Sequence, residues 1–265
     1  ENLEVSRLFN VEDLNVIVTG GSRGIGLMIA TSFVQNGANV VISSRKESAC
    51  VEAVSQLNAL KKGKAFSAPF DLSLEENCKN LVDTSLKLFK NKKIDVLVNN
   101  AGAVWAEPLE KYQDQAWDKL LNLNLKGPFH MMKYAVPHMK KEKNHSSIIN
   151  IGSINGISPP RVETYAYSAS KAALHMVAKH AASKLSKYNI TVNSIAPGLF
   201  KTKMTGGMIN MFGGDDVFKS GIPMKRMGNA KDIGGLCILL SSSAGSYITG
   251  TVMTVDGGVL IQGKM

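Results

Sequence analysis

The sequence predicts a doubly wound α/β fold in which a central parallel sheet is flanked by helices. Three observations point to it. Short apolar runs of strand length alternate with longer stretches of helical spacing along the whole chain. Those runs are rich in Val and Ile and apolar at consecutive positions, as in strands buried on both faces. A glycine-rich turn joins the first run to the first helix, where such folds bind anions.

The elements follow in order. The first strand is predicted at 15–19, closed by glycine, with a helix over 25–36 that stops at Gly37. A strand at 39–43, a helix at 47–59 and a strand at 65–70 come next. A helix at 75–89 leads to a strand at 95–99. Residues 116–140 read as one long helix or two abutting ones, interrupted by Pro128 and Pro137. A strand at 147–151, a helix at 164–188, a strand at 191–196, a helix at 232–240 and a strand at 252–255 complete the pattern. No linker, repeat or low-complexity stretch divides the chain, so one domain over 1–265 is expected. The segment 201–221 breaks the rhythm with two Gly-Gly pairs and reads as an inserted substrate lid. Its Met204, Met208, Met211 and Phe212 suit an adaptable apolar cover; the alternative is a loop packing on itself.

Composition narrows the function classes. At 265 residues, 44% hydrophobic and 20% charged, the chain is long and apolar enough for a sizeable core. No apolar run is long enough to span a membrane. Three well-separated cysteines fit neither a disulfide framework nor a zinc site and suit a reducing compartment. A cytoplasmic location is expected, although a chain opening on Glu1 leaves organellar import open. The net charge of +10 suits acidic small molecules such as phosphates. Its densest clusters, 61–64, 90–93 and 140–143, fall at helix ends, where they complement the dipole, so no nucleic-acid partner is expected. The five histidines show no ligand spacing; His175 and His180 are five apart and do not share a helix face, so no metal is expected.

Two constellations carry chemistry. In Gly20-Gly21-Ser22-Arg23-Gly24-Ile25-Gly26, the glycines let backbone amides approach a pyrophosphate at a helix N-terminus. The second strand is followed by Ser43-Ser44-Arg45-Lys46, without the acidic residue that NAD-selective sites place there. Arg23, Arg45 and Ser44 suit a 2′-phosphate instead, which favours NADP(H). The second constellation is Tyr167 and Lys171, four apart on one helix face. A phenol titrates near 10 and is a poor base at neutral pH, but a nearby ammonium favours the phenolate. So tuned, it gives a proton to a carbonyl oxygen or takes one from an alcohol. The pair follows a strand ending at Ser153, whose hydroxyl suits a hydrogen bond to the substrate oxygen. Tyr165 lacks a lysine four residues on. Trp105 either lines the substrate pocket or packs.

Together these motifs resemble the short-chain dehydrogenase/reductase family from end to end. The matching elements are Thr19-Gly20-x-x-x-Gly24-Ile25-Gly26, Asp71-Leu72, Asn99-Asn100-Ala101-Gly102, Asn124, Ser153, Tyr167-x-x-x-Lys171, Pro197-Gly198 and Asp256-Gly257-Gly258. The resemblance implies a Rossmann fold, NADP(H) and transfer of the pro-S hydride between nicotinamide and a ketone or secondary alcohol. It implies Tyr167 as acid/base, Ser153 orienting the carbonyl, and Lys171 on the nicotinamide ribose. Asn124 would hold a water linking Lys171 to a proton relay. Asp71 with Leu72 would meet the adenine, and Asn100, Ala101 and Gly102 the ribose side. Pro197, Gly198, Phe200 and Thr202 would bind the carboxamide. The Ser153-to-Tyr167 interval is one residue longer than is commonest, which Pro159-Pro160 would absorb.

Within the family the chain is most similar to 3-oxoacyl reductases, including the branch linked to rhamnolipid precursors, so an acyl thioester is one expected substrate. A dehydrogenase of alcohols, sugars or xenobiotic ketones would share every motif, and a catalytically silent NADP-binding regulator is the non-enzyme alternative. A homotetramer is implied by the resemblance alone.

Overall fold

The computed structural model describes residues 3–140, 145–202 and 214–262. Among them, seven strands form one parallel sheet: β1 (Asn15–Thr19), β2 (Asn39–Ser43), β3 (Lys64–Ser67), β4 (Val96–Asn99), β5 (Ser146–Ile151), β6 (Ile190–Pro197) and β7 (Val252–Val255). Their order across the sheet is β3-β2-β1-β4-β5-β6-β7. The chain winds outward from β1 in one direction, then returns to start β4 on its other side. β1 therefore pairs with both β2 and β4, Ile17 lying beside Val41 and Leu97. Crossovers from these two strands leave on opposite faces, and a crevice opens at their carboxyl ends.

Alternation along the strands builds two cores. Val16, Val18, Val40 and Ile42 point to one face, where helices α2 (Gly24–Gln35), α3 (Glu47–Asn58) and α9 (Ala230–Ser241) supply Phe33, Leu57 and Leu240. Ile17, Val41 and Leu97 point to the other, against Leu81 of α4 (Glu75–Leu88), Met131 of α6 (Gly127–Ala135) and Ala178 of α7 (Tyr165–Leu185). A short α1 (Val5–Leu8) precedes the sheet, and Cys50, Cys78 and Cys237 are free and buried. No described helix is long and apolar enough to cross a membrane.

Two sequence expectations change. The stretch 116–140 is neither one regular helix nor two abutting ones. Helix α5 (Asp114–Leu121) passes through a π turn at Asn122–Lys126 into α6, and Pro137 lies in a 3-10 turn at Val136–His138. Pro128 falls in the first turn of α6, where its missing N–H is tolerated beside the widened turn. The strand expected over 65–70 is β3, ending at Ser67. The segment 201–221 contains a helix, α8 (Asp215–Ser220), and Met204, Met208, Met211 and Phe212 lie outside the described residues.

Candidate active site

The site is a cleft of about 510 Å³ across the carboxyl ends of β1, β4, β5 and β6. Its floor begins with the glycine turn. Gly20 and Gly24 have φ of +65° and +55°, the left-handed region that side chains disfavour. Gly26 stands behind the wall of the cleft. A Cβ there would lie 2.3 Å from the Gly20 carbonyl oxygen and 2.5 Å from Asn100 Nδ2. Asn100 fills the space so released, donating from Nδ2 to the carbonyls of Thr19 (2.9 Å) and Gly20 (3.2 Å). Thr19 Oγ1 returns the bond, accepting from the N–H groups of Asn100 (2.9 Å) and Ala101 (3.0 Å). The glycine turn and the Asn-Asn-Ala-Gly turn are thus stitched together across the point where strand order reverses.

One end of the cleft is cationic. Arg23, at the N-cap of α2, and Arg45, just beyond β2, are both exposed there. Ser22 Oγ donates to Ser44 Oγ at 2.9 Å and ties the two loops together. Midway, Asp71 and Leu72 line the cleft beside Ile25 and Gly102. The Asp71 carboxylate is already engaged in its own turn, accepting from Ser73 Oγ at 2.8 Å and Ser73 N at 3.1 Å.

The other end holds the titratable groups. Tyr167 and Lys171 sit one turn apart on α7, facing the end of β5. Lys171 is buried and donates from Nζ to the Ile151 carbonyl at 2.7 Å, with Nζ 5.8 Å from the Tyr167 ring centre. Burial drops the Lys171 ammonium from 10.5 to about 8. Burial also raises the Tyr167 phenol, while a hydrogen bond with Ser153 pulls the other way. The net direction is upward, against the expectation of a lowered tyrosine, because desolvation of the phenolate is the largest effect. Ser153 Oγ also accepts from Asn155 N at 3.1 Å, holding its own turn.

Asn124, on the π turn, is fully buried behind Gly102. Its Oδ1 accepts from Ala103 N, and its Nδ2 donates to Ala103 O (both 2.9 Å) and to Ser170 Oγ (3.1 Å). It clamps the wall to the tyrosine helix. A Cβ at Gly102 would lie 3.2 Å from Asn124 Oδ1 and 3.6 Å from Lys171 Nζ, so the three positions meet. Beyond β6, Gly198 lies against Asp256, and the Phe200 ring is buried beneath Gly228, whose Cβ would stand 2.5 Å from it. Pro197 and Thr202 complete this end, Thr202 lying over Gly24.

Tyr165 turns away from the cleft and donates to Glu163 at 2.5 Å. Trp105 packs between Glu107, to which its indole donates at 3.1 Å, and Lys119. Ala103, Val104 and Leu123 line the cleft instead. Sequence reasoning missed these three and Phe70, which also lines the cleft, because small and apolar residues carry no chemical signature; only their flanking of the Asn-Asn-Ala-Gly turn and of Asn124 could have marked the first three. Among the described residues, no group of three His, Cys, Asp or Glu side chains is placed to hold a metal ion.

A model of the family described as short chain dehydrogenase matches residues 14–211. The chain belongs to the short-chain dehydrogenase family. It is 38% identical over 253 residues to a rhamnolipids biosynthesis 3-oxoacyl-[acyl-carrier-protein] reductase of Pseudomonas aeruginosa, covering 94% of this chain and 97% of that protein. A 2-dehydro-3-deoxy-D-gluconate 5-dehydrogenase of Bacillus subtilis is 35% identical, covering 95% and 96%. The solved Pseudomonas aeruginosa RhlG/NADP active-site complex superposes with a TM-score of 0.90 at 37% identity, covering 95% of this chain and 98% of that one.

Lys171 gives this short-chain dehydrogenase a pH signature. Below about pH 8 the lysine is protonated in both folded and unfolded chains, and the cost of burying its charge is carried in full. Between about 8 and 10.5 the unfolded chain binds more protons, so this group's contribution to stability rises with pH. Thermal melts of wild type and Lys171→Met at pH 7 to 10 are expected to show the wild type gaining on the variant across that window. Parallel curves would contradict the lowered lysine.

Proposed function

We propose that the chain is an NADPH-dependent carbonyl reductase whose acid/base is Tyr167. The observation that carries this reading is one cleft with Ser153, Tyr167 and Lys171 at one end and Arg23 and Arg45 at the other. The residues fit the dinucleotide: Gly20 and Gly24 line the cleft with φ of +65° and +55°, and the missing Cβ at Gly26 lets Asn100 hold the turn that opens α2. Arg23, Arg45 and Ser44 would hold the 2′-phosphate, Asp71 and Leu72 the adenine, and Asn100, Ala101 and Gly102 the ribose side. Lys171 would hold the nicotinamide ribose, and the 197–202 segment the carboxamide.

When bound, NADPH supplies the hydride to the carbonyl carbon. Tyr167 gives its hydroxyl proton to the carbonyl oxygen, and Ser153 donates a hydrogen bond that holds that oxygen beside it. The ketone is reduced to a secondary alcohol at the cost of one hydride and one proton. The Lys171 ammonium faces the phenolate left behind and stabilises it. Asn124 keeps the helix bearing Tyr167 and the wall at Ala103 in register.

The substrate class we favour is a 3-oxoacyl thioester. Ala103, Val104 and Leu123 add apolar lining to the cleft that holds Tyr167, the net charge of +10 suits a phosphate-bearing carrier, and the Pseudomonas relative is named for that reaction. We also propose a homotetramer, by family resemblance, and a cytoplasmic location consistent with three buried free thiols.

The test is a panel of acetoacetyl thioesters, cyclic ketones and keto-sugar acids, run with NADPH and with NADH. NADPH-dependent turnover of the thioesters is the expected result; turnover of keto-sugar acids alone overturns the substrate class, and a strong NADH preference overturns the arginine assignment. Arg23→Ala and Arg45→Ala are each expected to weaken NADPH binding about tenfold, the value of a charge-assisted contact, and to leave NADH unchanged. Fluorescence titration checks this.

A further inference from the structure

Tyr167, Lys171 and His175 stand at i, i+4 and i+8 on α7, along one face of the helix. The chemistry above uses the first two. His175 is only 6% exposed, and its Nε2 has no hydrogen-bond partner among the described residues. Leaving a ring nitrogen buried and unpaired is unfavourable, so the position of the ring calls for a reason in what it touches.

The ring occupies the space that side chains at two glycines would need. A Cβ at Gly152 would lie 1.9 Å from His175 Nε2 and 2.6 Å from Cδ2; one at Gly156 would lie 2.8 Å from the α7 backbone at Lys171 C and Ala172 N and 3.0 Å from His175 Cε1. Gly152 and Gly156 bracket Ser153 and the 3-10 turn Ile154–Gly156. Gly152 N donates to the Ile195 carbonyl at 2.7 Å, and Gly156 N to the Ser153 carbonyl at 3.0 Å. The turn is therefore gripped between β6 on one side and the imidazole on the other.

We propose that His175 is a positioning residue, its imidazole wedged between Gly152 and Gly156 so that the turn carrying Ser153 stays in register with Tyr167. This rests on the acid/base reading above. Burial and the charges of Lys171 and Lys179 push the His175 imidazole down to about 4, so it is neutral at ordinary pH and adds no second cation beside Lys171. A smaller side chain lets the Gly152 end of the turn sink toward α7, loosening the bond between Ser153 and the phenol. Because that bond favours the ionised phenol, Tyr167 should then titrate higher.

The experiment is a cycle of His175→Ala, Gly152→Ala and the double variant in the full chain. It reads kcat and KM with acetoacetyl thioester, NADPH affinity by fluorescence, and Tyr167 ionisation by NMR of ring-labelled tyrosine. His175→Ala is expected to lower kcat about tenfold, to leave NADPH affinity within twofold and to raise the Tyr167 titration. Gly152→Ala is expected to lower kcat further, because its Cβ would stand 1.9 Å from the ring nitrogen. Removing the ring in the double variant should restore kcat to within threefold of His175→Ala. A kcat for His175→Ala within twofold of wild type, or an unmoved Tyr167 titration, would overturn the proposal; should Gly152→Ala not fold, these two readouts still decide. Tyr167→Phe run alongside separates the two ideas: turnover in that variant overturns the acid/base reading itself, while the titration reports on the turn without needing turnover.

Discussion

Tyr167→Phe is expected to lower kcat by about three orders of magnitude, within the range general acid catalysis supplies, and to leave NADPH affinity within about twofold. Among the described residues Lys171 is turned to the Ile151 carbonyl at 2.7 Å, while the Tyr167 phenol is hydrogen-bonded with Ser153. Tyr165 cannot replace it, being bound to Glu163 outside the cleft. The substitution removes a single oxygen and keeps the ring, so packing on α7 is unchanged and the melting temperature should move little. Single-turnover reduction with NADPH already bound isolates the chemical step. A variant retaining more than about a tenth of wild-type kcat would exclude Tyr167 as the proton donor.

Gly26→Ala should be the most damaging change outside the proton-transfer groups. Alanine has the better helix propensity by up to about 1 kcal/mol, so on backbone grounds alone the variant would gain. The contact outweighs that. The new Cβ would stand 2.3 Å from the Gly20 carbonyl oxygen, part of a backbone that cannot rotate aside, and 2.5 Å from Asn100 Nδ2. Overpacking of this kind costs about 1–3 kcal/mol or more. Relieving it means moving Asn100 off the Thr19 and Gly20 carbonyls, which opens the glycine turn. NADPH affinity is expected to fall at least about 100-fold, and the melting temperature by several degrees, since about 1 kcal/mol corresponds to roughly 2–4 °C in a chain this long. Gly235→Ala, a change in α9 where a Cβ would meet nothing within 4 Å, is the control and should be neutral or slightly stabilising. Equal behaviour of the two variants would show that the close approach at Gly26 does not matter.

Much of the fold was legible because it is written in local periods. Strand-length apolar runs and helical spacing identified β1, β2 and β4–β7 to within a residue or two, since a two-sided buried strand must be apolar throughout. The π turn between α5 and α6 was not legible: its widening depends on how Asn124 meets Ala103 and Ser170, partners 21 and 46 residues away. The end of β3 at Ser67 was equally hidden, because Phe70, apolar enough for a strand, instead lines the cleft.

The site divides in the same way. The glycine turn and the Tyr167–Lys171 pair depend on spacings of a few residues, which fix a helix face or a tight turn before any long-range contact forms. So the sequence by itself determined a parallel α/β fold, a glycine turn at the start of α2 and a phenol and an ammonium on one face of α7. Which atom the ammonium bonds is another matter. Lys171 reaches Ile151, Asn100 closes over Gly20, and the His175 ring fills the space beside Gly152 only because β5, β4 and α7 are brought together by the sheet. Those contacts span twenty to eighty residues and turn on tenths of an ångström, so only the tertiary structure decided them, and with them the desolvation that raises Tyr167 and lowers Lys171.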